Sequence, residues 1–155
     1  MDIELSASIA KVALSTKDLA GLVIRKCKMA FDREFDDTIA AAIGSGAKKA
    51  LAGLRAHDLE KVVMGIDGVN VSARLRCGED TVSVGACRGD KATCKAGEDD
   101  DPPTIRLTFE TVYNDDVWSF LGRNCGGYVE LEFKDTQLTL SGTVTKMGDG
   151  GLRPV

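Results

Sequence analysis

Apolar residues recur at every second position along most of the chain, and this alternation constrains the fold more than any other feature of the sequence. Ile105, Leu107, Phe109, Thr111 and Tyr113 form one set, with Arg106, Thr108 and Glu110 between them. Successive side chains of a strand point to opposite faces, so this pattern describes a strand with one face buried and one wet. The same period appears at Ile3-Leu5-Ala7-Ile9, at Cys27-Met29-Phe31, at Val62-Met64-Ile66, at Val69-Val71-Ala73-Leu75 and at Val82-Val84-Ala86. Runs of this kind separated by short polar turns read as an antiparallel sheet of hairpins.

Turn signals supply the connections. The first two runs flank the polar cluster Ser15-Thr16-Lys17-Asp18, and residues 10–14 between them fit a strand or a helical turn equally well. Asp67-Gly68 between two alternating runs predicts a hairpin there, because a two-residue turn needs positive φ. Gly78-Glu79-Asp80 predicts a second turn. Arg88 to Pro103 has no clear period, and Ala96 to Pro103, with four consecutive carboxylates and two prolines, reads as an exposed loop. A last hairpin is expected from 128–133 and 138–144 around Lys134-Asp135-Thr136.

Two segments break the period. After Asp32, a candidate N-cap, Phe35, Ile39, Ile43, Ala47 and Leu51 recur every four residues, as on the buried stripe of a helix. Gly44 and Gly46 each cost about 1 kcal/mol relative to Ala inside a helix, which favours two helices over one rod. After Asn114, a second cap, Asp115 and Asp116 suit the positive end of a helix dipole, and Tyr113 can reach Trp118. The fold class is therefore α+β, a mostly antiparallel sheet with helical segments at about 33–55 and 115–122. Strand, Asx cap, helix and glycine follow one another twice, which reads either as a weak β-α-β-β internal repeat or as a common local solution used twice. Residues 1–147 are expected to form one domain, and the Gly-rich 148–155 a flexible tail.

Composition narrows function without identifying it. A net charge of −4 and eight aromatics in 155 residues disfavour direct nucleic-acid binding by the chain as a whole, although they leave room for a local basic face. No run approaches the roughly 18 apolar residues of a membrane helix, and no basic-then-apolar leader is visible at Met1. Five cysteines without close pairing fit a reducing compartment, so a cytoplasmic location is expected.

The chemistry-bearing residues are sparse. His57-Asp58 holds the only histidine, and Cys77, Cys87, Cys94 and Cys125 lack the close pairs of a zinc site. Cys125 lies in Gly122-Arg123-Asn124-Cys125-Gly126-Gly127, where Arg123 could favour a thiolate, but the glycines follow a helix and so do not form a phosphate loop. No catalytic residue, metal or cofactor is assigned. From Gly97 to Asp135 ten carboxylates face three basic residues. This stretch reads first as a solvated acidic face that keeps sheet edges apart and second as a partner-binding surface, with Glu98, Asp99, Asp100, Asp101, Asp115 and Asp116 as its candidate binding residues; Glu98–Asp101 lacks the spacing of a calcium loop. The expected function is a noncatalytic binding or accessory module acting through protein–protein contacts, with a homo-oligomer as one form. The alternatives are a small acidic inhibitor of a nucleic-acid-binding target and, third, a cysteine-dependent enzyme.

Overall fold

The computed structural model of the protein describes residues 3–43, 45–67, 71–134 and 139–141. Eight strands and three helices follow one another as β1 (Ile3–Leu19), β2 (Leu22–Glu34), α1 (Asp37–Ile43), α2 (Ser45–Arg55), β3 (Lys61–Asp67), β4 (Val71–Cys77), β5 (Asp80–Lys95), β6 (Thr104–Val112), α3 (Asp115–Asn124), β7 (Tyr128–Lys134) and β8 (Thr139–Ser141). The sheet order is β4-β7-β1-β2-β6-β5-β3-β8, every pairing is antiparallel, and β4 also pairs with β5. That extra pairing closes β4, β7, β1, β2, β6 and β5 into a ring. The α+β class with a mostly antiparallel sheet is as the alternation predicts. Among the described residues, no helix is long and apolar enough to cross a membrane.

Closure depends on β5. Its first half pairs with β4, from Cys77↔Asp80 to Val71↔Cys87, and its second half pairs with β6, from Cys87↔Thr111 to Lys95↔Thr104. The register slips between Val71 and Ala73 against β4 and between Gly89 and Lys91 against β6. Each such irregularity bends a strand and increases its twist, and a sheet needs such bends to close. A third slip, between Ile9 and Lys11, does the same for β1.

These slips explain two misreadings of the sequence. Inward positions on β5 run Val84, Cys87, Ala92, Cys94, all buried, so strict alternation is lost and Arg88–Lys95 does not look like a strand. Likewise, residues 10–14 are part of β1, with the alternation shifted by one position after Ile9.

Pairing differs from expectation in three further places. The strands beside Asp67-Gly68 do not pair with each other; β3 and β4 lie end to end along β5, with Lys61↔Lys95 through Gly65↔Lys91 continued by Val71↔Cys87. Gly68 itself lies outside the described residues. The first hairpin turns at Ala20-Gly21 rather than at 15–18. Ala20 at φ +51° and Gly21 at φ +86° supply the two positive φ values of a type I′ turn between the paired Leu19 and Leu22. The last two strands do not form a hairpin either, since β7 pairs with β1 and β4 while β8 pairs with β3. The proposed turn at 135–136 and the tail from 148 lie outside the described residues. Among the described residues, the strands after the helices, β3 with β4 and β7 with β8, do not pair with each other in either half, so the downstream hairpin of the candidate repeat is absent from both copies.

The helices close the two ends. Asp32 is not a cap, because β2 continues to Glu34 and Asp32 pairs with Arg106 across the sheet. The cap is Asp36, whose Oδ1 accepts the Ile39 amide at 3.0 Å, and the helical segment therefore begins at Asp37 rather than 33. Two helices lie on either side of residue 44. Phe35, Ile39, Ala47, Leu51 and Leu54 are all buried, as the four-residue period requires. At the other end, Asn114 Oδ1 accepts from the Asp116 and Val117 amides and starts α3, which packs on β5 and β1. Inside the ring, Phe109 lies 5.0 Å from Phe133 between ring centroids and 6.2 Å from Phe31. Strands β6 and β7 are not neighbours in the sheet, so the Phe109–Phe133 contact crosses the interior. Phe109→Ala should cost about 3–5 kcal/mol of unfolding free energy, measured by urea denaturation. A cost below about 1 kcal/mol would show that the ring interior is not packed as described.

Candidate functional site

Two of the candidate acidic groups are separated by the fold. Glu98, Asp99, Asp100 and Asp101 form the β5–β6 connection at one end of β6, where Asp101 N donates to Glu98 O at 2.9 Å. The connection is tight. A Cβ on Gly97 would come within 2.0 Å of the Asp101 carbonyl oxygen, so only glycine fits there. Asp115 and Asp116 occupy the first turn of α3 at the opposite end of β6. Nine strand residues separate the groups, about 27 Å of rise.

Three further carboxylates of this stretch, Glu110, Glu130 and Glu132, face cations across strands, and Asp135 lies outside the described residues. Glu110 accepts from Lys26 Nζ at 2.7 Å and has Lys28 Nζ at 3.9 Å; together with Arg88 these cations hold its carboxyl below the usual carboxylate range, the Lys26 hydrogen bond contributing most. Glu130 pairs with Arg76, and Glu132 faces Arg74 in register. A charge run that is contiguous in sequence thus becomes ladders of opposite charge on the sheet.

The thiols divide by burial. Cys27, Cys87 and Cys94 are buried, and desolvation raises all three, Cys87 to about 11 and Cys94 to about 12. They are protonated at neutral pH and are not nucleophiles there. Cys125 is exposed in the turn after α3, where Gly126 N donates to Ile9 O and Ile9 N to Gly127 O. Arg123, the cation expected beside it, instead makes two bonds to Asp80, at 3.0 and 3.1 Å, and Asn124 adds a third. Asn124 and Arg123 together hold the Asp80 carboxyl below its ordinary value. His57 follows α2 at φ +57°, beside Glu60, Lys61 and Lys95. No group of three or more metal-ligating side chains comes together among the described residues.

A feature that the sequence did not single out is the far half of the β1–β2 hairpin. Strand β7 pairs with β1 only over Ile3–Ser8, and β6 pairs with β2 only from Lys26 onward. The hairpin nevertheless continues to Leu19 and Leu22, so its outer part is a two-stranded arm reaching beyond the ring. Its root is braced. The Arg25 guanidinium lies 4.3 Å from the Tyr113 ring centroid, Tyr113 N donates to Arg25 O, and the Tyr113 ring sits 6.5 Å from Trp118. Its tip is apolar and wet, with Leu22 and Val23 each 70% exposed and Leu19 46%. The signal was present in Leu19-Ala20-Gly21-Leu22-Val23, where a turn is flanked by apolar residues rather than polar ones. No protein-family model, no curated protein and no solved structure matches the chain.

Burial of the thiols has a pH consequence. Cys87 and Cys94 hold protons in the folded state that the unfolded chain releases above about pH 8.5. Their contribution to stability is full below that pH and falls as pH rises toward 11–12. Between pH 8.5 and 10 each should remove about 2 kcal/mol, seen as a falling urea midpoint. Cys94→Ala should flatten that fall. An equal slope in the variant would contradict the assignment.

Proposed function

We propose that the protein is a noncatalytic binding module whose first partner is a second copy of itself, engaged through the β1–β2 arm. The observation that supports this reading is the exposed apolar tip on a braced arm. Contiguous apolar surface of this kind marks an interaction site more often than a lone exposed leucine does, and a two-stranded ribbon is marginally stable in water by itself.

Strand β1 also has a free edge. Beyond Ile9 its side away from β2 has no strand partner among the described residues. Antiparallel pairing of two such edges about an axis between Leu14 and Ser15 is self-complementary, as a twofold interface must be. It sets Lys11 of one copy opposite Asp18 of the other, twice, and avoids the Lys11–Lys17 repulsion of the adjacent register. It also brings the Leu19/Leu22 tip of one copy to the point where β7 of the other begins. Tyr128, the first residue of β7, is 73% exposed.

The reading makes the protein concentration-dependent in size. Light scattering behind a sizing column should show a dimer that dissociates on dilution. Leu22→Ser with Tyr128→Ser should shift the chain to monomer with little change in melting temperature, since both side chains are exposed. A wild-type chain that stays monomeric at every concentration would overturn the homodimer, as would a doubly substituted chain that remains dimeric.

A further inference from the structure

We infer that the outer face of the sheet across β1, β2, β6, β5 and β3 is a binding groove for the sugar–phosphate backbone of duplex nucleic acid. This site adjoins the arm at Lys11, which the proposed dimer sets opposite Asp18, while its other cations lie on β2, β3, β5 and β6, outside that interface. The groove has a volume of about 530 Å³. Its walls carry Lys11, Lys28, Lys61, Lys91, Lys95 and Arg106, against the carboxylates of Asp32 and Asp90. A chain of net charge −4 thus concentrates a local charge of about +4 on one face.

Register explains the shape. One row across the sheet reads Lys11, Ala30, Thr108, Lys91. The small Ala30 and Thr108 form the floor, and the two lysines stand as walls three strand spacings apart, about 14 Å. A second row reads Asp32, Arg106, Thr93. Here Arg106 is fully engaged, its Nε and Nη2 donating to the two Asp32 oxygens at 2.7 and 2.9 Å. The third row reads Thr104, Lys95, Lys61.

That third row carries an independent indication. Lys61 and Lys95 stand directly opposite each other on neighbouring strands. Like charges in this position are destabilising, and neither lysine has an ion-pair partner among the described residues. Other positions of the outer face match charge across strands, at Arg76–Glu130, Lys26–Glu110 and Arg106–Asp32, and where Glu4 stands opposite Glu132, Arg74 faces Glu132 from the other side. An anion between Lys61 and Lys95 relieves the repulsion between them.

The donor set fits phosphate. The planar fork of arginine suits carboxylate and phosphate alike, and the groove's one arginine already holds Asp32. Lysines as point charges, with the Thr93, Thr104 and Thr108 hydroxyls between them, suit phosphate oxygens. No aromatic side chain lines the groove, so unstacked bases have no platform, and contact is with the backbone and independent of sequence.

The test is fluorescence-anisotropy titration of a short labelled DNA duplex over a range of salt concentrations. The wild-type protein should bind with a dissociation constant of about 10⁻⁴–10⁻⁶ M and a log–log salt slope of about −3 to −4, from roughly four phosphates neutralised. Lys91→Glu with Lys95→Glu should weaken binding at least tenfold and reduce the slope by about 2. The second substitution sets a carboxylate opposite Lys61, so the melting temperature should hold or rise, which separates lost binding from lost folding. Lys48→Glu with Lys49→Glu, the same charge change on the exposed face of α2, should retain binding. Absence of wild-type binding at about 50 mM salt would overturn the inference, as would equal loss in the α2 variant. Competition by polyglutamate as effective as that by duplex would assign the groove to an acidic protein segment instead.

Discussion

Strand β5 changes partners at Cys87, and the rest of the molecule depends on that exchange. Below this residue β5 is bound to β4, and above it to β6, with β3 taking the edge that β4 leaves. A sixteen-residue strand can serve three neighbours only if it bends, and its two register slips provide the bends. With β4 also held by β7, the sheet returns on itself and the apolar face of each ring strand turns inward. The phenylalanines of β2, β6 and β7 then meet in one cluster, and hydrophobic burial there is the main source of stability.

Closure also determines where function can reside. Side chains fill the interior, with α1 and α2 over one end and α3 over the other, so binding surfaces face outward. Two features of the exterior are unresolved as structure alone. The β1–β2 hairpin runs past the point at which the ring needs it, and one sheet face leaves two lysines in register. Each departs from the usual local rules of strand pairing and charge matching, and such departures concentrate at functional sites. The buried thiols, by contrast, follow those rules: they pack as small apolar groups and remain protonated.

The sequence revealed elements better than their partnerships. Asn114, the Gly78 turn, the buried stripe from Phe35 and the strand from Ile105 could be read because each is a local signal. The Asp36 cap was missed because Asp32, four residues earlier, is an equally good cap until its bonds to Arg106 are seen. The strand at Arg88–Lys95 was missed because two bulges shift its parity, and the Asp67-Gly68 hairpin was misread because a distant strand competes for both of its arms. Charge misled in the same way. Glu98–Asp101 and Asp115–Asp116 look like one acidic block along the chain, yet β6 holds them apart. Lys11, Lys28, Lys61, Lys91 and Lys95 are spread over four strands, and only register assembles them into one face.

The central claim is that β4 sits between β5 and β7 and so closes the ring. The most direct measurement is a nuclear Overhauser experiment on the backbone of isotopically labelled protein. The account predicts cross-strand contacts from Arg74 and Leu75 both to Ser83 and Val82 and to Glu132 and Leu131, within one molecule. Contacts from β4 to only one of these strands would mean an open sheet, and would remove the basis for the interior, the arm and the groove together.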